Sequence, residues 1–452
     1  MKKLIAVAAL VVVATVAVRA EAPEWKMVPE ILARIVPPKF PARDFVITKY
    51  GAKPDGKTDC TAAIAKAIAA CAKKGGGHVV IPAGEFLTGP IHLLSNVNLH
   101  LAATNSVLKF STDPKKYLPA VFTRFEGMEC YNYSPLIYAF GQKNVAVTGP
   151  GTLDGQAEES NWLAWKGQKS VTNGTQRVAR KRLDDMNNSG VPVSQRVFGE
   201  GDFLRPSFVQ FFYCQNVLIE GVRIRRSPMW EIHPILCTNV IVRGLDIRTH
   251  GANNDGCDPE SCKDVLIEGC LFDTGDDCIA IKSGRNNDGR RVGVASENII
   301  IRNCTMAEGH GGVTIGSEIS GGCRNVFVEN CTMDSPNLDR VLRFKSNAVR
   351  GGVVENIFMR NVTVGQVADA ALHIDFLYEE GTNGIHKPVV RNVVMENVTV
   401  QKTPRAVVAV SFPGAEISNV RVYNSTFKGI TKPDRLVEAE VKLVDCVLEP
   451  AK

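Results

Sequence analysis

Four short segments of the chain each end in a serine, and ionisable side chains lie at repeated distances before that serine. The segments are GCDPES, CIAIKS, GVTIGS and LRFKS, which end at Ser261, Ser283, Ser317 and Ser346. Asp255 and Asp277 both lie six residues before their serine. Asp276 and His310 both lie seven residues before theirs. If the segments are successive coils of one parallel sheet, equivalent positions stack roughly 4.8 Å apart, and three carboxylates and an imidazole share one surface.

The last segment adds two cations to this surface. Arg343 and Lys345 lie three residues and one residue before the fourth serine. Lys282 has the position of Lys345 in an earlier segment and would extend the basic patch. Arginine binds a carboxylate through a planar fork and lysine binds it as a point charge, so this patch suits an acidic ligand. The alternative is a solvated strand face that alternates with inward-pointing Leu342 and Phe344, which explains exposure of the cations but not their place beside three acids.

The three aspartates also have a structural explanation, because acidic residues at the ends of coils often only cap turns. Asp255, however, repeats the position of Asp277 one coil away, and stacking two carboxylates raises the pKa of one of them. A structural ladder would avoid that repulsion, so we favour a catalytic role. His310 alone is weak evidence, since a histidine between glycines can be a turn residue. Its column neighbour is Asp276, so we expect an imidazole–carboxylate contact.

This set of residues is suited to cleaving a glycosidic bond. The reaction needs one protonated carboxyl group to donate to the leaving oxygen and one carboxylate to activate water or attack carbon. Asp255 and Asp277 on adjacent coils can jointly hold a water, which leaves Asp276 as the acid. A water held between carboxylates and sugar is the inverting arrangement.

A repeat of asparagine or aspartate predicts that the segments do stack. These anchor residues stand at positions 144, 216, 239, 264, 298, 325, 356, 392 and 419. One and three residues after each anchor stands an apolar, mostly β-branched residue, which is the period-two pattern of a strand. Five residues after each anchor stands glycine or asparagine, which tolerate positive φ, so a tight bend follows the strand.

From position 216 onward the anchors are 23 to 36 residues apart. Self-similarity at this period indicates a solenoid, and the crossover preference of parallel strands makes it right-handed. We therefore predict an all-β, single-domain, right-handed parallel β-helix with an N-terminal capping helix. That helix is predicted from Thr58 to Lys74, with Thr58 or Asp59 as its cap, and would cover the open first coil.

The remaining parts of the chain differ in composition. The predicted units are a signal peptide at 1–22, a proline-rich lead at 23–43, and a β-helix catalytic domain at 44–450 that contains an insertion loop at 157–205. Trp162 and Trp165 of the insertion are either sugar platforms or residues packed on their own scaffold. We expect an exported protein, periplasmic or extracellular.

Composition and charge exclude several partners. The net charge of +6 is modest and the basic residues are scattered, which argues against nucleic acid. No segment after the leader is apolar for long enough to span a membrane. Most of the 13 cysteines take positions where other repeats have valine or leucine. They are therefore predicted to be buried apolar side chains rather than metal ligands. The pattern still allows one or two disulfides.

The sequence resembles a known family. The motifs NNDG, GDDC, GHGG and RFK, in this order, resemble the NTD, DD, GHG and RIK signatures of glycoside hydrolase family 28, the polygalacturonases. YGAKPDGKTDCTAAIAKAI, GTLDG at 151–155 and SPMWEIHP at 227–234 are also similar to that family, so the resemblance covers most of the chain. It implies a right-handed parallel β-helix that hydrolyses pectic polymers with inversion.

The resemblance also implies a role for each site residue. Asp276 is the acid, Asp255 and Asp277 are the water-activating pair, His310 assists, Arg343 and Lys345 bind galacturonate, and Tyr378 matches the family's tyrosine beside them. The chain departs from the signatures at Asn254, where the family has threonine, and at Phe344, where it has isoleucine. Neither change removes a titrating group.

The expected activity is hydrolysis of α-1,4 bonds between galacturonate residues of homogalacturonan or an oligogalacturonide. We expect a monomer that needs no cofactor or metal. A rhamnogalacturonan hydrolase of the same family is disfavoured, because the basic pair is typically absent there. A calcium-dependent pectate lyase and a binding solenoid without catalysis are also compatible with a β-helix that carries an acidic patch.

Overall fold

The computed structural model describes residues 23–167 and 174–452. The predicted signal peptide at 1–22 lies outside the described residues, as does part of the predicted insertion. No helix within the described ranges is both long enough and apolar enough to cross a membrane.

The described chain forms a parallel β-helix, which confirms the predicted fold. Its coils contribute strands to three walls, which we name the anchor wall, the bend wall and the site wall. The anchor wall contains Asp44–Val46, Gly77–Ile81, Val97–Leu101, Lys143–Thr148, Gln215–Glu220, Thr238–Arg243, Lys263–Glu268, Ser296–Arg302, Cys323–Glu329, Val353–Gln366, Val389–Lys402, Glu416–Tyr423 and Val441–Val444.

The bend wall follows the anchor wall in each coil, and two of the longer anchor strands run on into it. Its own strands are Asp55–Asp59, Gly84–Thr88, Ser106–Phe110, Thr152–Asp154, Arg223–Arg225, Asp246–Thr249, Leu271–Thr274, Thr305–Met306, Thr332–Met333, Thr426–Ile430 and Val447–Pro450. The site wall contains Ile91–His92, Ile137–Phe140, Val209–Phe212, Ile232–Ile235, Ile279–Ile281, Val313–Ile315, Arg340–Lys345, Ala370–Asp375, Arg405–Val410 and Arg435–Val437. An antiparallel hairpin of Val121–Phe125 and Met128–Asn132 lies outside these walls.

The anchor residues form a ladder of side-chain hydrogen bonds along the molecule. The side-chain amide of an anchor asparagine donates to the side-chain oxygen of the anchor one coil earlier, as Asn325 does to Asn298 at 3.1 Å. Every anchor has positive φ, between 51° and 60°. The predicted bends five residues later also have positive φ. The sequence pattern predicted the bend five residues after each anchor. It did not predict the left-handed backbone conformation of the anchor itself.

The ladder has one aspartate, and the N-terminal lead docks there. The side chain of Asp264 has no N–H to donate to the preceding anchor, Asn239. The backbone N–H of Val36 donates to the side-chain carbonyl oxygen of Asn239 instead, at 3.0 Å. The guanidinium of Arg34 pairs with the Asp264 carboxylate at 2.7 Å. Arg34 ends a helix, α1 (Met27–Arg34), which packs apolar side chains on the outside of the anchor wall. From its sequence this lead was predicted only to be polar and proline-rich.

Helix α2 (Thr61–Lys73) covers the first coil, as predicted, and packs Ile64, Ile68 and Cys71 into the interior. It begins three residues later than the predicted start at Thr58, because Asp55–Asp59 pairs with Gly84–Thr88 as a strand. Asp59 still acts at the helix start, since its carboxylate accepts the backbone N–H of Thr61 at 2.9 Å.

The interior of the coils is apolar, and the cysteines belong to it. All 13 cysteines carry free thiols, and only Cys446 is partly exposed. Cys270, Cys304 and Cys331 occupy the same inward position on successive coils and are at most 2% exposed. They fill the place of valine in other coils, as predicted, and none of the disulfides left open by the sequence is formed.

The insertion is more ordered than the predicted loop. It contains the 3₁₀ helices Trp162–Lys166 and Val193–Gln195 and a third α-helix, α3 (Gln176–Asn188). A fourth, α4 (Asn286–Val292), follows the site wall strand Ile279–Ile281. Trp162 and Trp165 are 1% and 9% exposed and contact each other with ring centroids 4.7 Å apart. They pack on their own scaffold and are not exposed platforms for a sugar.

We predict that Asn325→Ala destabilises the β-helix by about 2 kcal/mol. The substitution puts an alanine at positive φ and removes two ladder hydrogen bonds, each of which contributes roughly 0.5–1.5 kcal/mol. Asn325→Gly tolerates the φ value and loses only the hydrogen bonds, so it should be less destabilising. The melting temperatures of both variants measure this, and equal losses would show that the backbone conformation is not a constraint.

Candidate active site

Strand pairing aligns the four serine-ended segments as predicted. Ile279 pairs with Val313 and Val313 pairs with Leu342, which places the second, third and fourth serines at equivalent positions. The first segment is not a regular strand. It joins the site wall through isolated bridges at Cys257 and Glu260, on either side of a proline.

The alignment brings the three aspartates together. One carboxylate oxygen each from Asp255, Asp276 and Asp277 lies within 4.8 Å of the others. Their side chains differ in access: Asp276 is 19% exposed, Asp255 4% and Asp277 0%. Asp276 is therefore the most exposed of the three carboxylates.

Asp277 is held by cations from the next coils. Its Oδ2 accepts from Lys345 Nζ at 2.6 Å, and its Oδ1 accepts from Arg343 Nη1 at 3.3 Å and from the hydroxyl of Thr314 at 2.8 Å. Burial opposes ionisation, but Lys345 and Arg343 outweigh it and lower the pKa of Asp277. The two cations are themselves mostly buried, so the alternative of a solvated strand face does not apply to them.

Asp276 contacts His310 as expected, with 3.0 Å between Oδ1 and Nδ1. Burial raises the pKa of Asp276, but the hydrogen bond and charge of His310 together with the charge of Lys345 outweigh it, and the net shift is downward. The same hydrogen bond raises the pKa of His310. The glycines beside His310 allow its backbone to approach Asp276 and Asp277 closely, which is a different role from forming a turn. A Cβ at Gly309 would lie 2.5 Å from the Asp276 carbonyl oxygen, and one at Gly311 would lie 2.9 Å from the Asp277 carboxylate.

The pKa of Asp255 shifts in the opposite direction to those of Asp276 and Asp277. Burial raises its pKa well above the ordinary value, and the negative charge of Asp276 adds to the effect. Its Oδ1 is buried and makes no hydrogen bond to any described residue. The preceding residue, Asn254, fixes the turn: its amide donates to the carbonyl oxygens of Ser227 and Met229, at 3.0 and 3.1 Å.

Lys282 reaches the site but does not lie with the other two cations. Its ammonium is 3.6 Å from Asp255 Oδ2, and it is buried above the ring of Trp230, 4.2 Å from the centroid. Tyr378 does lie beside the basic pair: its ring centroid is 5.5 Å from Lys345 Nζ and 5.8 Å from the Arg343 guanidinium.

The cleft above the aspartates, about 250 Å³ in volume, includes residues that were not predicted from the sequence. They are Glu126, Lys166, Arg180, Trp230, Asn253, Ser317, Glu318 and Glu379. Lys166 and Arg180 come from the insertion. Trp230 stands in SPMWEIHP, so that motif was the available signal for it. The insertion residues follow no repeat, and no spacing pointed to them.

One end of the cleft is crossed by ion pairs. Arg180 of α3 hydrogen-bonds Glu126 in the turn of the outer hairpin. The other arm of Arg180 is 3.9 Å from Glu379, which follows the site wall strand Ala370–Asp375. This bridge joins the insertion to the β-helix across the cleft.

Two groups of described residues have ligand atoms close enough together to hold a metal ion. One is the aspartate triad, and the other is His250, Asp273 and Glu308. In the second group each imidazole nitrogen faces a different carboxylate, at 2.9 and 3.5 Å. In the triad the ammonium of Lys345 already supplies positive charge to Asp277.

Comparison with known proteins identifies the family of this chain. A family model described as glycosyl hydrolases family 28 matches residues 200–439, which contain every predicted site residue. The chain belongs to glycosyl hydrolases family 28. A second model, rhamnogalacturonase A/epimerase, pectate lyase-like, matches residues 45–118 at the N-terminal end of the β-helix.

Individual relatives agree in fold. A hyperthermoactive exopolygalacturonase from Thermotoga maritima has 44% identity and a TM-score of 0.91, over 94% of this chain and 96% of that one. A probable polygalacturonase from Vitis vinifera is 29% identical over 70% of this chain and 60% of its own length. An exo-poly-alpha-D-galacturonosidase from Dickeya chrysanthemi is 28% identical over 74% of this chain. The chain spans 60% and 57% of the lengths of these two curated relatives.

We predict that the Asp277 ion pairs stabilise the protein in a pH-dependent way. The folded pKa is below the unfolded value near 3.8, so the contribution is present above pH 3.8 and is lost as the pH falls further. Asp277→Asn should lower the melting temperature at pH 7, and the gap to the wild type should close below pH 3.8. Asp445→Asn, at an exposed carboxylate, is the control. A gap for Asp277→Asn that stays constant with pH would contradict the assignment.

Proposed function

We propose that this protein hydrolyses α-1,4 bonds between galacturonate residues of homogalacturonan or an oligogalacturonide, with inversion. One observation carries the proposal: three carboxylates meet within 4.8 Å, Asp255 and Asp276 line the cleft, and Asp276 is the most exposed of the three. Asp276 donates its proton to the glycosidic oxygen as the bond to the anomeric carbon breaks. A water on Asp255 and Asp277 attacks that carbon and gives its proton to the pair.

Asp276 must be protonated to act as the acid, yet His310 lowers its pKa in the free protein. Lys345 also lowers it. A substrate carboxylate that binds Lys345 and Arg343 neutralises part of this positive charge and so raises the pKa of Asp276. Substrate binding therefore favours the protonated acid, and His310, whose pKa is raised, is placed to supply the proton.

Inversion needs a separate argument, because carboxyl groups of inverting enzymes are usually about 6.5–9.5 Å apart and those of retaining enzymes about 5–5.5 Å. The spacing here, within 4.8 Å, would by itself favour retention. We favour inversion because Asp277 is fully buried and both its oxygens accept hydrogen bonds, which makes it a poor nucleophile. Asp255 and Asp277 instead share the activation of water.

The preferred substrate is acidic. Arg343 and Lys345 line the cleft beside the aspartates, and the ring of Tyr378 lies next to them. A neutral rhamnose in the same place would offer no carboxylate to these two cations, which share one protein carboxylate, Asp277, so homogalacturonan is favoured over rhamnogalacturonan. The similarity to a probable polygalacturonase and to an exopolygalacturonase supports this choice.

The ion-pair bridge through Arg180 supports release of short products from chain ends. A polymer cannot continue through the end of the cleft that Arg180, Glu126 and Glu379 cross. The insertion thus converts a groove into a pocket. The exo-acting Thermotoga maritima protein matches nearly all of this chain.

A calcium-dependent pectate lyase is the second candidate, because the aspartate triad could hold a cation. It would give unsaturated products and be sensitive to chelators. Hydrolysis as proposed needs neither metal nor cofactor. Export to the periplasm or beyond, action as a monomer and the signal peptide remain predictions.

We predict that Asp276→Asn lowers kcat on polygalacturonate by at least about 100-fold, since loss of a positioned acid costs about 10²–10⁴ in rate. KM should change little. Arg343→Lys should mainly raise KM, because the planar fork is lost and the charge is kept. Full turnover by Asp276→Asn would contradict its assignment as the acid, and absence of turnover by the wild type would favour a binding solenoid. Absorbance of an unsaturated product that chelators abolish would favour the lyase.

Product analysis tests the stereochemistry and the mode of attack. We expect the first product detected by NMR to be the β-anomer, and early products sized by chromatography to be monomer or dimer only. Arg180→Ala opens the bridged end, so it should add longer oligomers to the early products. An α-anomer would show retention, and a broad spread of oligomers from the wild type would show endo attack.

A further inference from the structure

Lys282 is surrounded by carboxylates below the catalytic triad. Its Nζ lies 3.6 Å from Asp255 Oδ2, 3.3 Å from Asp258 Oδ1 and 3.2 Å from Glu318 Oε2. The fourth side of the ammonium faces the ring of Trp230 at 4.2 Å. An ammonium has three N–H donors, and here each has a carboxylate to face.

This geometry does not suit direct substrate binding. The Lys282 side chain is 3% exposed, and its three donors are directed at protein carboxylates. A substrate carboxylate would have to displace one of them from a buried site, which is costly. Lys345 and Arg343, by contrast, lie beneath Tyr378 and share a single carboxylate, Asp277.

Lys282 is therefore in a position to act on Asp255 rather than on the substrate. The charged groups that act on Asp255 are Asp276, Asp277, Asp258, Lys282 and, from the neighbouring coil, Glu231. Lys282 is the one cation in this set, and it alone favours the ionised form. Glu318, which is held ionised by Lys282 and nearby arginines, competes for the same ammonium.

We propose that Lys282 is a positioning residue that favours the charged, water-activating form of Asp255 against the burial that opposes it, and that Glu318 limits this effect by sharing the Lys282 ammonium. The inference deepens the proposed hydrolysis and rests on it. It replaces the expectation that Lys282 extends the substrate-binding patch. Asp258, which is fully buried, faces the same ammonium at 3.3 Å.

The test is the pH dependence of kcat/KM on polygalacturonate for Lys282→Met and Glu318→Gln. The acid limb of that profile reports the group that must be ionised in the free enzyme. Removing the cation raises the pKa of Asp255, so Lys282→Met should move the acid limb to higher pH by about one unit or more, with kcat reduced and KM little changed. Glu318→Gln frees the ammonium for Asp255 and should move the limb to lower pH.

Two controls make the outcome specific. The double variant Lys282→Met/Glu318→Gln should behave like Lys282→Met, because Glu318 acts through the ammonium. Lys345→Met should raise KM as a substrate-binding variant. The inference would be overturned if Lys282→Met raised KM in the same way without moving the acid limb of the pH profile. It would also be overturned if Glu318→Gln left the acid limb in place. If Lys282→Met does not fold, the direction of the Glu318→Gln shift decides alone. A wild type without hydrolytic activity would instead refute the proposed function.

Discussion

Register between coils is the constraint on which the rest of this structure depends. Neighbouring coils pair as parallel strands, and a slip by one residue would turn every inward side chain outward. The asparagine ladder resists such a slip, because each anchor both donates to one neighbour and accepts from the other, as Asn325 does with Asn298 and Asn356. Residues more than fifty positions apart in the chain, such as Asp255 and Arg343, then meet without any local motif joining them.

The active site uses this rigid frame to hold charges that would otherwise repel. Three aspartates within 4.8 Å are unfavourable alone, and cations from different coils offset them. Lys345 and Arg343 neutralise Asp277, and Lys282 faces Asp255. The result is an uneven set of carboxyl groups, in which Asp277 has a lowered pKa and Asp255 a raised one.

Segments outside the repeat adapt this frame to a particular cleft. The lead docks where Asp264 interrupts the ladder, so that a defect in one pattern becomes a binding site for another part of the chain. The insertion brings Arg180 and Lys166 to the cleft from a helix and a 3₁₀ helix that belong to no coil. Segments between the walls of a β-helix can differ without altering the walls themselves, so specificity is expected in these segments.

The sequence by itself determined the coil architecture, the capping helix and the column of Asp255, Asp277, Asp276 and His310, because strand period, bends and register are local patterns that repeat. It also placed Arg343 and Lys345 near the acids, whereas Tyr378 was expected there only from the family resemblance. Only the tertiary structure decided that Lys282 faces carboxylates, that Trp162 and Trp165 are buried, and that Arg180 crosses the cleft. These depend on side-chain direction and on contacts with segments that have no repeat, and neither is encoded in the spacing of residues along the chain.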